Sequence, residues 1–233
     1  MFIDGKILDW DYYTENSAGL NFDEEDEIVW RSHEIWRHAS SLIIKDCSEF
    51  ALSDAISNLK RAVNHRLKAL SQAYCFDTLP FSNRKQTLEK LQFYGIIRPA
   101  LLKELFEVRN AIEHQDSSPP TIDQCNKYVD IVWYFLKSTD SLLLMKVDDG
   151  IFWSPDEQYS LSFQPEFDGM WNVIISGTIP AEAILMHEEH GAIDVDEACK
   201  QPAYTKPSIY GRWKPTDAQL SDFARKYFEL SGY

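Results

Sequence analysis

Residues 49–74, EFALSDAISNLKRAVNHRLKALSQAY, hold the clearest pattern in the chain. Leu52, Ile56, Leu59, Val63, Leu67, Leu70 and Tyr74 recur at three- and four-residue steps, which only an α-helix gathers onto one side. The other side carries Asn58, Arg61, His65, Lys68 and Gln72, also at helical spacing. Two readings of that side stand: a solvated face, or a basic stripe that touches phosphates. A helix this long and this apolar on one side needs other helices to cover it.

The flanking sequence supplies them. A helix starts near Asp23 with an acidic first turn suited to the helix dipole, and Ile28, Ile35, Ala39 and Leu42 form its stripe beside Val29, Trp36 and Ile43. After a break at Thr78 to Ser82 containing Pro80, a shorter helix runs from about Asn83 to Tyr94, where Gly95 stops it. Pro99 suits the first turn of the next helix. There Leu101, Leu105, Val108 and Ile112 make an apolar row, and Lys103, Glu107, Asn110 and His114 a polar one. Thr121 opens a further helix, with Gln124 completing a capping box, and Cys125, Tyr128, Val132 and Phe135 form its stripe.

These elements predict a mainly α protein: an antiparallel up-and-down helical bundle over residues 23–147, followed by a small α+β module over 148–233. Residues 1–22 read as an N-terminal extension, with an Asp4-Gly5 turn between apolar pairs. In the C-terminal module, Tyr159, Leu161 and Phe163 alternate with serines, and Trp171, Val173 and Ile175 recur at every second position after an Asp168-Gly169 turn, so two strands are expected. A short helix is expected from Pro180 to His190, ending at Gly191. The last helix is capped by Thr216 with Gln219 and buried through Leu220, Phe223, Tyr227 and Leu230.

Composition narrows the function. With 233 residues, 44% hydrophobic and 26% charged, the chain is an ordinary globular one. No apolar run approaches the ~20 residues that cross a bilayer, and Asp4 and Asp9 interrupt what would be a secretory signal, so no membrane partner is expected. Cys47, Cys75, Cys125 and Cys199 are widely spaced, which points to free thiols in a reducing cytoplasm. The formal net charge of −14 disfavours broad binding to polyanions, although a local basic groove can still hold a short RNA segment.

Chemistry concentrates in Leu105-Phe106-Glu107-Val108-Arg109-Asn110-Ala111-Ile112-Glu113-His114. A histidine near neutrality takes a proton from a ribose 2′-hydroxyl or gives one to a leaving 5′ oxygen. An arginine presents a fork of donors to phosphate oxygens as charge builds, and an amide such as Asn110 orients either partner. In one straight helix, however, Arg109 and His114 diverge by about 140°, so the two meet on one phosphate only if the helix distorts or two copies face each other. A structural reading of the same residues stands beside this one. Arg109 and Glu113 are an i, i+4 ion pair, and a histidine at a helix C-terminus complements the dipole.

Arg-Asn, three residues, then His, in a bundle helix before a loop and a further helix, resembles the signature of the HEPN superfamily over roughly residues 23–147. The resemblance implies an all-α bundle, metal-independent endoribonuclease activity without a cofactor, and a composite site at a homodimer interface. Arg109, Asn110 and His114 would then be catalytic, with Arg61, His65, Lys68 and Lys103 as weaker candidates for contacts to RNA, tRNA included. The typical settings are toxin–antitoxin and antiphage defence systems, with an antitoxin or other partner protein. Members without activity act as dimerisation or partner-binding modules, the alternative reading here.

Other candidates are weaker. His187-Glu188-Glu189-His190 with Asp194 and Asp196 has metal-capable side chains but lacks the His-Glu-x-x-His pattern, and reads as a solvated acidic helix end. Trp153, Tyr159, Phe163, Phe167 and Trp171 could stack bases, yet aromatic residues on short strands are usually core.

Overall fold

A computed structural model describes residues 1–8, 15–22, 27–46, 48–81, 87–115, 117–196 and 208–231. The chain divides into two compact units. One is helical and comprises Phe22–Phe76 and Lys85–Met145; the other comprises Met1–Asn21, Asp77–Arg84 and Lys146–Tyr233.

The helical unit is built on α1 (Glu27–Lys45), α2 (Glu49–Ala73) and α5 (Ile122–Leu144), each packed against the other two. On α2 the entire row from Leu52 to Tyr74 is buried, as its period demands. Ser48 caps this helix by accepting from the Ala51 amide, and Thr121 and Gln124 form the expected capping box on α5. α3 (Thr87–Phe93) and α4 (Ala100–Gln115) both pack on α2. The helix starts expected at Asp23 and Asn83 lie outside the described residues, as does the side chain of Ile28. On α4 the apolar row is rotated from expectation: Leu102 and Leu105 are buried, whereas Leu101 is 49% exposed.

A charged network fills the centre of the three long helices. Arg66 has no exposed surface, yet lies among Val63, Leu67 and Leu70 on the buried face of α2. Its Nη2 meets Asp140 Oδ1 of α5 at 2.9 Å and donates to the Val29 carbonyl of α1 at 3.2 Å. Its Nη1 donates to the Leu136 carbonyl and Thr139 Oγ1, both at 3.3 Å. His33 Nε2, on α1, reaches Asp140 Oδ1 at 2.8 Å. Burial alone would raise the Asp140 pKa, but the His33 bond and the Arg66 charge outweigh it and hold the carboxyl below the usual range.

The second unit overturns the expected small C-terminal α+β module. Among the described residues it is an eight-stranded sheet in the order β2-β3-β4-β5-β8-β7-β1-β6. Its strands are β1 (Phe2–Ile3), β2 (Glu15–Phe22), β3 (Met145–Trp153), β4 (Ser160–Glu166), β5 (Asn172–Thr178), β6 (Ile184–Leu185), β7 (Ile193–Asp196) and β8 (Ser208–Lys214). The two strands read from alternation, β4 and β5, pair antiparallel with Phe163 opposite Ile175. Residues 1–22, read as an extension, supply β1 and β2: Phe2 and Ile3 pair with β6 and with β7, and the Met1 ammonium donates to the Val195 carbonyl at 2.9 Å. The mainly α class is therefore replaced by a helical unit and a substantial antiparallel sheet. The physical reason is that the pairings of Phe2 and Ile3 join segments 181 to 192 residues apart, and such contacts leave no local period to read.

One face of the sheet is covered by α6 (Asp217–Leu230), which starts at the expected Thr216–Gln219 capping box. Phe163, Trp171, Trp213, Phe223, Tyr227 and Phe228 form an aromatic core with ring centroids 5.3–6.5 Å apart between neighbours. In place of the expected helix from Pro180 to His190 stands a single 3-10 turn, Ala181–Ala183, followed by β6. Gly191 does lie in the left-handed region, at φ +83°. Among the described residues no helix is long and apolar enough to cross a membrane.

Candidate functional site

The polar side of α2 does not behave as one stripe. Ser57, Asn58, Lys60, Arg61 and Asn64 recur at helical spacing and face α4, where Arg109 joins them around an open cleft of about 400 Å³. Three cations thus gather at one place on a chain of formal net charge −14. The cleft has a hydroxyl and two amides in its lining, a donor-rich set suited to an oxyanion with hydrogen-bonding neighbours.

Arg109 is a half-buried residue with two partners. Its Nη2 is paired with Glu113, the i, i+4 pair that the spacing suggests, while Nη1 reaches Asn110 Oδ1 at 3.4 Å. That Nη1 bond is long, so Nη1 is the arm free to turn toward a better acceptor. Asn110 Oδ1 also accepts from Lys60 Nζ at 3.0 Å, which ties α4 to α2. Lys60 lies 5.4 Å from the centroid of the Phe106 ring. Partial burial first, and the Arg109 charge second, lower its pKa, with Glu113 opposing.

His114 sits in the last turn of α4, exposed, and among the described residues nothing in this chain bonds to it or pairs with it. It does not line the cleft. The divergence expected from helix geometry therefore stands: α4 continues unbroken through Gln115, so within one copy Arg109 faces the cleft and His114 does not.

The weaker candidates separate. Arg61 lines the cleft, whereas the exposed Lys68 and Lys103 do not. His65 turns instead toward α1, its Nδ1 3.3 Å from Ser32 Oγ. Burial, followed by the charges of Arg31, Lys68 and Arg66, pushes its pKa below 6.5. The sign of the linkage follows. The unfolded chain takes up a proton at His65 before the folded chain does, so His65 favours folding fully above pH 6.5 and loses that contribution as the pH falls toward the lower folded value. Replacing His65 by Gln should flatten the stability-versus-pH curve in this window, as read by urea melts from pH 7.5 to pH 5. An unchanged slope would show that His65 titrates alike in both states.

Lys60 carries no mark in the apolar period of α2, because it flanks Leu59 on the edge of the buried face. The run Ser57-x-x-Lys60-Arg61-x-x-Asn64 is its only sequence signal. Arg66, His33 and Asp140 were equally silent: an arginine inside an apolar row has no local signature of its partner 74 residues away.

Elsewhere the candidates fall to structural roles. Phe163 and Trp171 are buried in the sheet core, and Trp153 is 37% exposed. His187 to His190 form an exposed turn. Among the described residues no three His, Cys, Asp or Glu side chains come close enough together to hold a metal ion. Among the described residues Cys75 and Cys125 form no disulfide, and burial pushes Cys125 up to about 11; Cys47 and Cys199 lie outside the described residues. The chain matches no protein-family model, no curated protein and no solved structure with which it was compared.

Proposed function

We propose that the helical unit is an RNA-directed endoribonuclease of the HEPN type that works without a metal ion. Arg109 binds and neutralises the scissile phosphate, His114 takes the proton from the ribose 2′-hydroxyl, and Asn110 orients the phosphate-binding groups. The observation that carries this reading is the α2–α4 cleft, where Arg109 joins Lys60 and Arg61 on an otherwise acidic chain. Charge on a phosphorane-like transition state needs cations already in place, and this cleft holds three within a polar lining. Since His114 does not line it, the reading requires two copies related by a two-fold axis, with His114 of one chain serving the cleft of the other. A toxin or defence effector acting on a structured RNA such as tRNA is the setting that the Arg-Asn-x-x-x-His resemblance suggests.

A second reading draws on the Arg109–Glu113 pair. A carboxylate beside the phosphate-binding arginine competes with RNA, and favours a non-catalytic module that dimerises and docks a partner protein.

Purified protein incubated with tRNA and with total RNA decides between them. Discrete fragments ending in 2′,3′-cyclic phosphate are expected, equally with and without chelator. Loss of cutting in chelator, restored by magnesium, would overturn the metal-free mechanism. Intact RNA at every protein concentration would leave the docking module as the reading.

A further inference from the structure

Lys60 and Arg109, from different helices, converge on one oxygen atom. Lys60 Nζ donates to Asn110 Oδ1 at 3.0 Å and Arg109 Nη1 reaches the same oxygen at 3.4 Å. A non-bridging phosphate oxygen is the same kind of acceptor carrying charge, and charge-assisted bonds to it are roughly twice as strong as those to a neutral amide. A phosphate that displaces Asn110 Oδ1 therefore meets both cations at once. The Lys60 ammonium is also held against the Phe106 ring, which restricts where its protons point. Its proton is more easily given up than that of a free lysine, because partial burial and the neighbouring Arg109 both disfavour the charged form. The cleft so far has a phosphate-binding group and, from a second copy, a base. What it lacks is an acid for the leaving oxygen.

Resting on the ribonuclease reading, we propose that Lys60 is a catalytic residue of that site, which contacts the scissile phosphate beside Arg109 and protonates the leaving 5′ oxygen. The step balances as follows. The 2′-hydroxyl gives its proton to His114 of the second copy, and the 2′ oxygen bonds to phosphorus. The bond from phosphorus to the 5′ oxygen breaks, and that oxygen takes a proton from the Lys60 ammonium. The products are a 2′,3′-cyclic phosphate and a 5′-hydroxyl. Water then returns a proton to Lys60 and removes one from His114, so no net charge is left on the protein. Lys60 is suited to this place because it lines the cleft, which His114 of the same chain does not.

The test separates proton donation from charge. Lys60→Arg keeps a cation in the cleft, but a guanidinium does not release its proton near neutral pH. Wild type and Lys60→Arg are compared on one RNA and on the same RNA with a bridging 5′ sulfur at the cleavage position, whose thiolate leaves unprotonated. Lys60→Arg should cut ordinary RNA about 10²–10⁴-fold more slowly, bind it with nearly unchanged affinity, and cut the sulfur substrate close to the wild-type rate. Lys60→Gln should show the same split between substrates, with weaker binding. Equal cutting of ordinary RNA by wild type and Lys60→Arg overturns the assignment while leaving the ribonuclease reading intact. Equal loss on both substrates also overturns it, making Lys60 a positioning cation. A wild-type protein that cuts neither substrate overturns the ribonuclease reading, and Lys60 as its acid falls with it.

Discussion

Arg66→Leu is expected to destabilise the helical unit by about 3–5 kcal/mol, because it leaves the Asp140 carboxylate without its main counter-charge inside the protein. Arg66 is wholly buried, and its Nη1 and Nη2 serve a carboxylate, a hydroxyl and the carbonyls of two other helices. Leucine has the apolar bulk but can satisfy none of these. His33 and Lys137 still reach Asp140, at 2.8 and 3.2 Å, and prevent a complete loss. Removing the orphaned charge as well, in Arg66→Leu with Asp140→Leu, should recover part of the stability, since an apolar pair can replace a buried ion pair at little cost. Urea melts read both. A loss within about 1 kcal/mol for the single variant, the range of an ordinary substitution, would show that the network does not hold the helices together.

Acid should act on the same network. Because the folded Asp140 pKa lies below its ordinary value of 3.8, its contribution is complete above that value and is lost as the pH falls through the lower folded one.

Arg109→Ala is expected to leave the protein folded and to remove most of its activity. It should lower cutting of RNA by about 10²–10³-fold, the usual loss when one donor to a developing oxyanion is removed. Stability should change by only ~0.5 kcal/mol, since the Arg109–Glu113 pair lies in partly solvated surroundings. His114→Ala should be equally inactive and equally stable, because its side chain is exposed. Mixing the two inactive variants then tests the two-copy site. One heterodimer cleft keeps an intact Arg109 and an intact His114, so part of the activity should return. Mixed variants as dead as their parents, or a wild type that cuts as a monomer at high dilution, would refute the shared site.

The HEPN resemblance rests on six residues, Arg109 through His114, all within α4. It leaves out most of the sheet unit, whose strands β4 to β8 follow residue 147. Nothing in the Arg-Asn-x-x-x-His segment itself reveals the cleft. Arg109 reads as one half of an exposed ion pair until α2 is laid beside it and Lys60 and Arg61 come within the same polar space.

What the sequence determined by itself is what depends on neighbours a few residues apart. The buried row from Leu52 to Tyr74, the caps at Thr121 and Thr216, and the alternation in β4 and β5 follow from period and local hydrogen bonding, and each is present where the residues put it. The divergence of Arg109 from His114 belongs here too, being a property of any straight helix. Only the tertiary structure decided which residues meet across distance. It brought Phe2 and Ile3 beside β6 and β7, made an arginine in the apolar row of α2 the partner of Asp140, and set Lys60 against Asn110. Strand partners, buried counter-charges and convergent cations are chosen by packing between segments that no period connects, and a polar residue at the edge of a helical stripe looks the same whether it faces water or a cleft.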